Sequence, residues 1–342
     1  MQKNEKRREE ERLIMKRLVA VLTTVVLLTA VFGGCAAKDT KQQQASGKKL
    51  KIGIVQPMDH PSLNTIRETI TSELAALGLS DKVEVDYKNA NGDGATISTI
   101  VTGFVGDKVD AIVPIGTNAA QIAASATKQI PIIFAAVSYP VDAGLVKDLS
   151  KTDGNITGVT NAIAIEDIFG LSKILTPNVK SFGFVYNTGE VNAVSSVNRA
   201  KAYCDANGIT YKDAVITNTS ELQQTAQSLV VKVEAIFTPN DNMVASAMPT
   251  LAAEANKAKL PVYVGADSMV KDGGFASVGI DYTILGKQVA QMIKRVVVDK
   301  EAISNNPVEV VNKYAKLINK KTADAIGVKV SEELLKDFTI IQ

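Results

Sequence analysis

A series of short polar clusters carries the residues of this chain that could do chemistry, and each cluster follows a run of β-forming residues. In the first half they hold Gln56 and His60, then Thr117, Ala120 and Gln121, then Ser138 and Tyr139. In the second half they hold Asn187, Glu190 and Asn192, then Asn242, Asp267 and Asp281. Amides, hydroxyls and a few carboxylates recognise a neutral or zwitterionic molecule through many hydrogen bonds, and Ala120 adds a backbone N–H near a helix start. Arg and Lys are scarce in these clusters, and neither GxxxxGK[ST] nor GxGxxG occurs, which argues against a phosphate or dinucleotide ligand. Taken singly, Asn, Asp, Ser and Thr after a strand are the usual N-caps of the next helix. The functional reading rests on the set, drawn from both halves.

Two acids are candidates for a ligand ammonium. Asp267 follows a buried-looking strand and is the stronger of them; Glu190 sits in a Gly-containing turn and serves either there or as a solvated turn acid. Tyr139 and Tyr282 either stack on a ligand or line a rim. Catalysis is not expected. His60 is the single histidine and has no companion for a triad or a metal, there is no GxSxG, and Asp241 and Asp267 have no spacing that would make them act together. Two cysteines, Cys35 and Cys204, make neither a zinc cluster with one histidine nor a disulfide framework. No cofactor or metal is expected. Cys204 falls on a helix and reads as a small buried apolar residue.

The elements that must position these residues alternate. Strand-like runs begin at Lys51, Val83, Ala111 and Pro131, with helical periodicity over 63–77, 96–104 and 118–128 between them. The scheme recurs with runs from Ser181, Tyr211, Ala235, Pro261 and Phe275 and helices over 194–207 and 220–231. AIVPIGTNAA at 111–120 and AIFTPNDNMVA at 235–245 are alike: a strand, a polar turn, then a helix. Such alternation predicts an α/β protein with two Rossmann-like lobes, each a parallel sheet covered by helices, and a cleft between them. A first crossing is expected over 156–164, a long helix over 284–298, one strand over 308–319 passing between the lobes, and a terminal helix over 331–336. With 342 residues, 46% hydrophobic, the chain is long enough for two cores. A net charge of +2 gives no reason to expect nucleic acid as partner.

The N-terminus predicts export. Lys3, Lys6, Arg7, Arg8, Arg12, Lys16 and Arg17 precede the apolar run LVAVLTTVVLLTAVF at 18–32, which is short for a membrane span of about 20 residues and reads as a signal peptide. Translation from Met15 would leave the same signal. Phe32-Gly33-Gly34-Cys35 resembles a bacterial lipobox, in which Cys35 is lipidated and becomes the mature N-terminus. Residues 36–49 have no large apolar side chain and read as a flexible tether.

The body from 51 to 336 resembles the ABC-transporter substrate-binding family whose better-known members bind tryptophan or other aromatic amino acids. The matching stretches run through it in order: IGIVQPMDHPSLN, VDYKNANGD, GTNAAQ, IPIIFAAVSYPVDAGLV, GNITGV, VYNTGEVNAVSSV, AIFTPNDNMVASA, LPVYVGAD and VGIDYTILGKQ. The resemblance implies a type I periplasmic-binding fold with three crossings, and an ABC permease with its ATPase as partners. The expected layout is a signal at 1–34, a lipid-anchored tether at 35–49, an N-terminal lobe of 50–160 plus 284–307, and a C-terminal lobe of 161–283 plus 308–342. The expected function is an extracytoplasmic, membrane-anchored binder that closes over a polar or zwitterionic ligand, an aromatic or related amino acid being favoured. Its carboxylate would take N–H groups over 117–120 and its ammonium would meet Glu190 or Asp267. The alternatives are a sensor that reports occupancy to a membrane receptor, or a binder of a sugar, nucleoside or purine. A repressor of similar fold would need a helix-turn-helix where the signal stands.

Overall fold

The computed structural model describes residues 48–342; the signal segment, Cys35 and most of the tether lie outside the described residues. The first lobe begins with β1 (Leu50–Gln56), α1 (Pro61–Ala76), β2 (Val83–Asn89), α2 (Gly94–Gly106), β3 (Ala111–Pro114), α3 (Thr117–Ala126), β4 (Ile132–Ala135) and β5 (Ile156–Thr160). The chain then crosses into α4 (Ile165–Leu175), β6 (Ser181–Asn187), α5 (Val191–Asn207), β7 (Thr210–Ile216), α6 (Leu222–Leu229) and β8 (Ala235–Thr238). The second lobe continues with α7 (Asn242–Ser246), α8 (Met248–Lys257), β9 (Val262–Val264), α9 (Asp267–Lys271) and β10 (Ala276–Ile280). A return crossing leads into α10 (Tyr282–Ile293), which packs on α1, β4 and β5. The last elements are β11 (Glu309–Val310), β12 (Tyr314–Asn319), α11 (Lys320–Ile326), α12 (Glu332–Leu335) and β13 (Thr339–Ile341).

The first sheet has the order β11-β5-β4-β3-β1-β2 and is parallel throughout. The second has the order β13-β12-β10-β9-β8-β6-β7; β12 runs antiparallel to β10, and β13 follows β12. Stripped of their edges, both sheets follow the doubly wound order 2-1-3-4-5. The resemblance of 111–120 to 235–245 is therefore a resemblance of equivalent strands, β3 and β8, with the turns that follow them. Both strands are buried along their whole length, which is why each reads as a continuous apolar run rather than an alternating one.

Two expectations need correction. The segment 308–319 is two strands, not one: β11 extends the first sheet beside β5, the chain turns over 311–313, and β12 joins the second sheet. The long helix starts at Tyr282, capped by the Asp281 side chain, and closes in a π-helical turn over Lys294–Val298. The helices α4, α8, α9 and α11 and the edge strand β13 were not among the expected elements; α9, α11 and β13 are too short to show a period. Cys204 is buried in the second lobe, and burial pushes its thiol up to about 12, so it is an unreactive packing residue.

Helix α10 meets α1 through a missing side chain. A Cβ on Gly286 would lie 2.7 Å from Thr69 Cβ and 3.1 Å from the Ile66 carbonyl oxygen, so the two backbones touch at this point. Gly286→Leu is expected to force them apart and lower stability by about 1–3 kcal/mol, read as a fall in the thermal unfolding midpoint.

Candidate ligand-binding cleft

In a doubly wound sheet of order 2-1-3-4-5, the strand order reverses between the first and third strands, and ligands bind outside their carboxyl ends. The two lobes set these switch points face to face. Pro57 and Met58 follow β1, Gly116 and Thr117 follow β3, Asn187 ends β6, and Asn240 to Asn242 follow β8. Between them lies a cavity of about 330 Å³, lined by Pro57, Met58, Gly92, Gly94, Ile97, Gly116, Thr117, Asn118, Gln121 and Ile122 of the first lobe and Asn187, Gly189, Glu190, Val191, Asn242 and Met243 of the second. A smaller chamber of about 20 Å³ shares Gly116, Thr117 and Asn242 with it and is also bordered by His60, Asn161, Asn192, Asn240, Asp241 and Tyr282.

The lobes are closed on each other. His60 Nε2 lies 3.1 Å from Asn242 Oδ1, the hydroxyls of Ser62 and Ser268 are 2.5 Å apart, Asn118 donates to the Gly189 carbonyl at 3.2 Å, and Asn240 donates to Ser138 Oγ at 2.8 Å. At the rim Arg199 pairs with Asp142 at 2.9 Å and covers the Tyr139 ring at 3.9 Å.

Glu190 is the centre of the site. It is 5% exposed and its carboxylate is held entirely by N–H donors. Oε2 accepts from the Asn242 amide at 2.7 Å, the Asn242 backbone at 3.1 Å and the Asn192 amide at 3.2 Å; Oε1 accepts from the Met243 backbone at 3.1 Å. Asp241, fully buried, accepts from the backbone N–H of Asn187 at 2.6 Å and of Val244 at 2.9 Å. Among the described residues no lysine, arginine or histidine pairs with either acid. Burial raises both carboxyl pKa values, and the charge of Asp241 pushes Glu190 further up. The opposite wall offers the start of α3. Gly116 caps it at φ 87 with no side chain, so the first N–H groups of the helix have no side-chain acceptor.

The other expected residues fall in different places. Gln121 lines the larger cavity while donating to the Ala143 carbonyl at 2.9 Å. Gln56 is buried beneath it, donating to the Met58 carbonyl and to Asn64, both at 2.8 Å, and so shapes the loop after β1. Ser138 donates to Asn161 at 2.9 Å and is part of the interlobe contact. Tyr139 stands at the rim. Gln56, Ser138 and Tyr139 line neither cavity, and nor do Ala120, Asp281 and Asp267. Ala120 points into the core of the first lobe. Asp281 is an exposed cap that accepts from Thr283 at 2.8 Å. Asp267, the sequence's stronger candidate for an ammonium, is answered by Lys271 one helical turn on, at 2.7 Å. The sequence also missed residues. Gly92, Gly94 and Ile97 follow β2 and could have been found by the same strand-end rule. The apolar wall of Met58, Ile122, Val191 and Met243 carries no such signal. Among the described residues no cluster of His, Cys, Asp and Glu could hold a metal ion, and no helix is long and apolar enough to cross a membrane.

Two doubly wound lobes closed over a cavity with polar and apolar walls define a solute-binding protein of the type I periplasmic-binding fold. The chain belongs to the ABC transporter substrate binding protein family, whose profile matches residues 51–340. Members of this family are extracytoplasmic binding proteins, not enzymes, and work with an ABC transporter. The chain is 36% identical over 294 residues to the tyrosine-binding protein of Clostridioides difficile strain R20291, covering 85% of each. It is similar to the structure of an ABC domain from Streptococcus pneumoniae in complex with L-Trp, at 38% identity and a TM-score of 0.83 over 86% of this chain and all of that one (100%). It is also similar to a ligand-free, open substrate-binding protein with adhesive properties from Clostridium difficile, at 34% identity and a TM-score of 0.66 over 85% of this chain and 99% of that one.

The buried acids give the ligand-free protein a pH dependence of definite sign. Folded Glu190 binds its proton more tightly than the unfolded chain does, so stability is full below the ordinary glutamate pKa of about 4.3 and falls as pH rises toward the raised value. Buried His60, whose lowered pKa weakens the fold toward the acid end, opposes this only in part. Thermal unfolding of the ligand-free protein is therefore expected to show a lower midpoint at pH 8 than at pH 5.5, and Glu190→Gln should remove that fall.

Proposed function

We propose that this protein is the solute-binding lipoprotein of an ABC importer and that it delivers an amino acid, with tyrosine or tryptophan the favoured ligands. The observation that carries the ligand class is Glu190: a carboxylate buried at a cavity wall, hydrogen-bonded on both oxygens, and lacking a cation. Burying a charge without a partner is costly, and a zwitterionic ligand supplies the missing positive charge as its ammonium. Its carboxylate fits the bare start of α3, where N–H groups and the helix dipole favour an anion. An aromatic side chain then fills the larger cavity against Pro57, Met58, Ile97, Ile122, Val191 and Met243. The tyrosine-binding relative and the L-Trp complex support the same ligand class. At nearly equal identity, the better superposition on the L-Trp complex than on the open, ligand-free structure accords with closed lobes.

Glu190, Asn192, Asn242, Asn187, His60, Thr117 and Gln121 are the residues assigned to this site. Gln56, Ser138 and Tyr139 support it from the loop, the interlobe contact and the rim. The lobe limits that accord with the sheets are 50–160 plus 282–310, and 161–281 plus 311–342. Open and closed forms exchange, and ligand favours the closed one because both lobes then contact it. Cys35 is the assigned lipidation site, which would hold the body by its tether at the outer face of the membrane, beside the permease and its ATPase.

A thermal-shift screen against amino acids, sugars, nucleosides and purines tests the ligand class. Tyrosine or tryptophan at a hundred times its dissociation constant should add about 2.7 kcal/mol to stability. A shift only with sugars or purines would overturn the amino-acid assignment. Glu190→Gln should weaken tyrosine binding by at least about tenfold, through loss of the negative charge that the ligand ammonium offsets, while leaving the protein folded.

A further inference from the structure

The small chamber behind the main cavity has an unusual polarity. His60, Thr117, Asn192 and Asn240 all border it, all are more than nine-tenths buried, and each has one side-chain atom with no partner: His60 Nδ1, Thr117 Oγ1, Asn192 Oδ1 and Asn240 Oδ1. The surrounding hydrogen bonds determine which of these accept. Asn242 spends its amide on Glu190 at 2.7 Å, so its oxygen must accept from His60 Nε2 at 3.1 Å. Burial lowers the His60 pKa to about 4, so the ring is neutral at pH 7 and Nδ1 carries a lone pair. Asn192 donates to Glu190 at 3.2 Å and to the Asn240 carbonyl at 3.1 Å, leaving its own oxygen free. Asn240 donates to Ser138 at 2.8 Å and to the Asn161 carbonyl at 3.4 Å, again leaving its oxygen free.

The chamber thus presents three acceptors fixed by their neighbours, and a Thr117 hydroxyl that can turn to either role. Asp241 stands at its wall, Glu190 is bonded to Asn192 and Asn242 that border it, and among the described residues no cation pairs with either acid. Its volume of about 20 Å³ matches one water-sized group. His60 and Thr117 come from one lobe, Asn192 and Asn240 from the other, so the chamber is complete only when the lobes are closed.

We propose that this chamber is the receptor for an unsubstituted primary ammonium, whose three N–H groups meet His60 Nδ1, Asn192 Oδ1 and Asn240 Oδ1. The inference rests on the amino-acid assignment above and narrows it: selectivity falls first on the –NH3+ group and second on the side chain. Asn192 and Asn240 are the specificity-determining residues. A secondary amine brings a methyl group into a space with room for one heavy atom and leaves one acceptor unpaired; a deaminated acid leaves all three unpaired.

Calorimetric titration of the protein with L-tyrosine, L-tryptophan, N-methyl-L-tyrosine, tyramine and 3-(4-hydroxyphenyl)propionate tests this. N-methylation is expected to weaken binding by at least about thirtyfold, and deamination by more than removal of the carboxylate in tyramine. Asn240→Leu should weaken L-tyrosine by at least about tenfold and shrink the preference over N-methyl-L-tyrosine. Asp267→Asn, at a residue that lines neither cavity, should retain both the affinity and that preference, and an Asn240→Leu unfolding midpoint near the parent's separates the chamber from general damage. Equal binding of L-tyrosine and its N-methyl derivative would overturn the chamber assignment and leave the amino-acid function standing. If neither L-tyrosine nor L-tryptophan binds, the amino-acid assignment falls and this inference falls with it.

Discussion

The cleft depends on one carboxylate that is buried before it has a counter-charge. Glu190 holds the amide of Asn242 and two consecutive backbone N–H groups at the start of α7, and it holds the amide of Asn192 on α5. By committing Asn242's nitrogen it dictates what Asn242's oxygen can do, and so sets the direction of the hydrogen bond to His60 in the opposite lobe. One acid thereby orders two loops of its own lobe and the polarity of a contact with the other. Asp241 plays the smaller part of tying the end of β6 to the start of α7.

Both lobes reach this place by the same route. In each, the strand order reverses beside the first strand, the third strand ends in a polar turn, and a helix begins there. The two halves differ in what they bring. The first lobe contributes a glycine cap that leaves the start of α3 without a side-chain acceptor; the second contributes the acids. Anion-seeking and cation-seeking walls therefore face each other across the gap, which is the arrangement a zwitterion needs.

Much of this was legible in the residues. Fully buried parallel strands such as β3, β4 and β8 are continuous apolar runs, and the rule that ligands sit beyond strand ends led to Thr117, Asn187, Glu190 and Asn242. What remained hidden depends on contacts the chain makes far from itself. Met58, Ile122, Val191 and Met243 become a wall only because the opposing lobe is there, and Asn161 enters only through its partners Ser138 and Asn240. Asp267 misled for a local reason that was available: Lys271 lies four residues on, the spacing at which a helix brings acid and base together. The turn that splits 308–319 was not readable, because both of its flanks are good strand sequence.

The contacts that hold the lobes shut are mostly neutral amides and hydroxyls, joined by one solvent-facing ion pair between Arg199 and Asp142. Groups of this kind exchange a protein partner for water with little change in free energy. The clasp is therefore weak in itself and its strength is lent by whatever it encloses: a protein shut around a ligand stays shut, and an empty one can reopen under ordinary thermal motion.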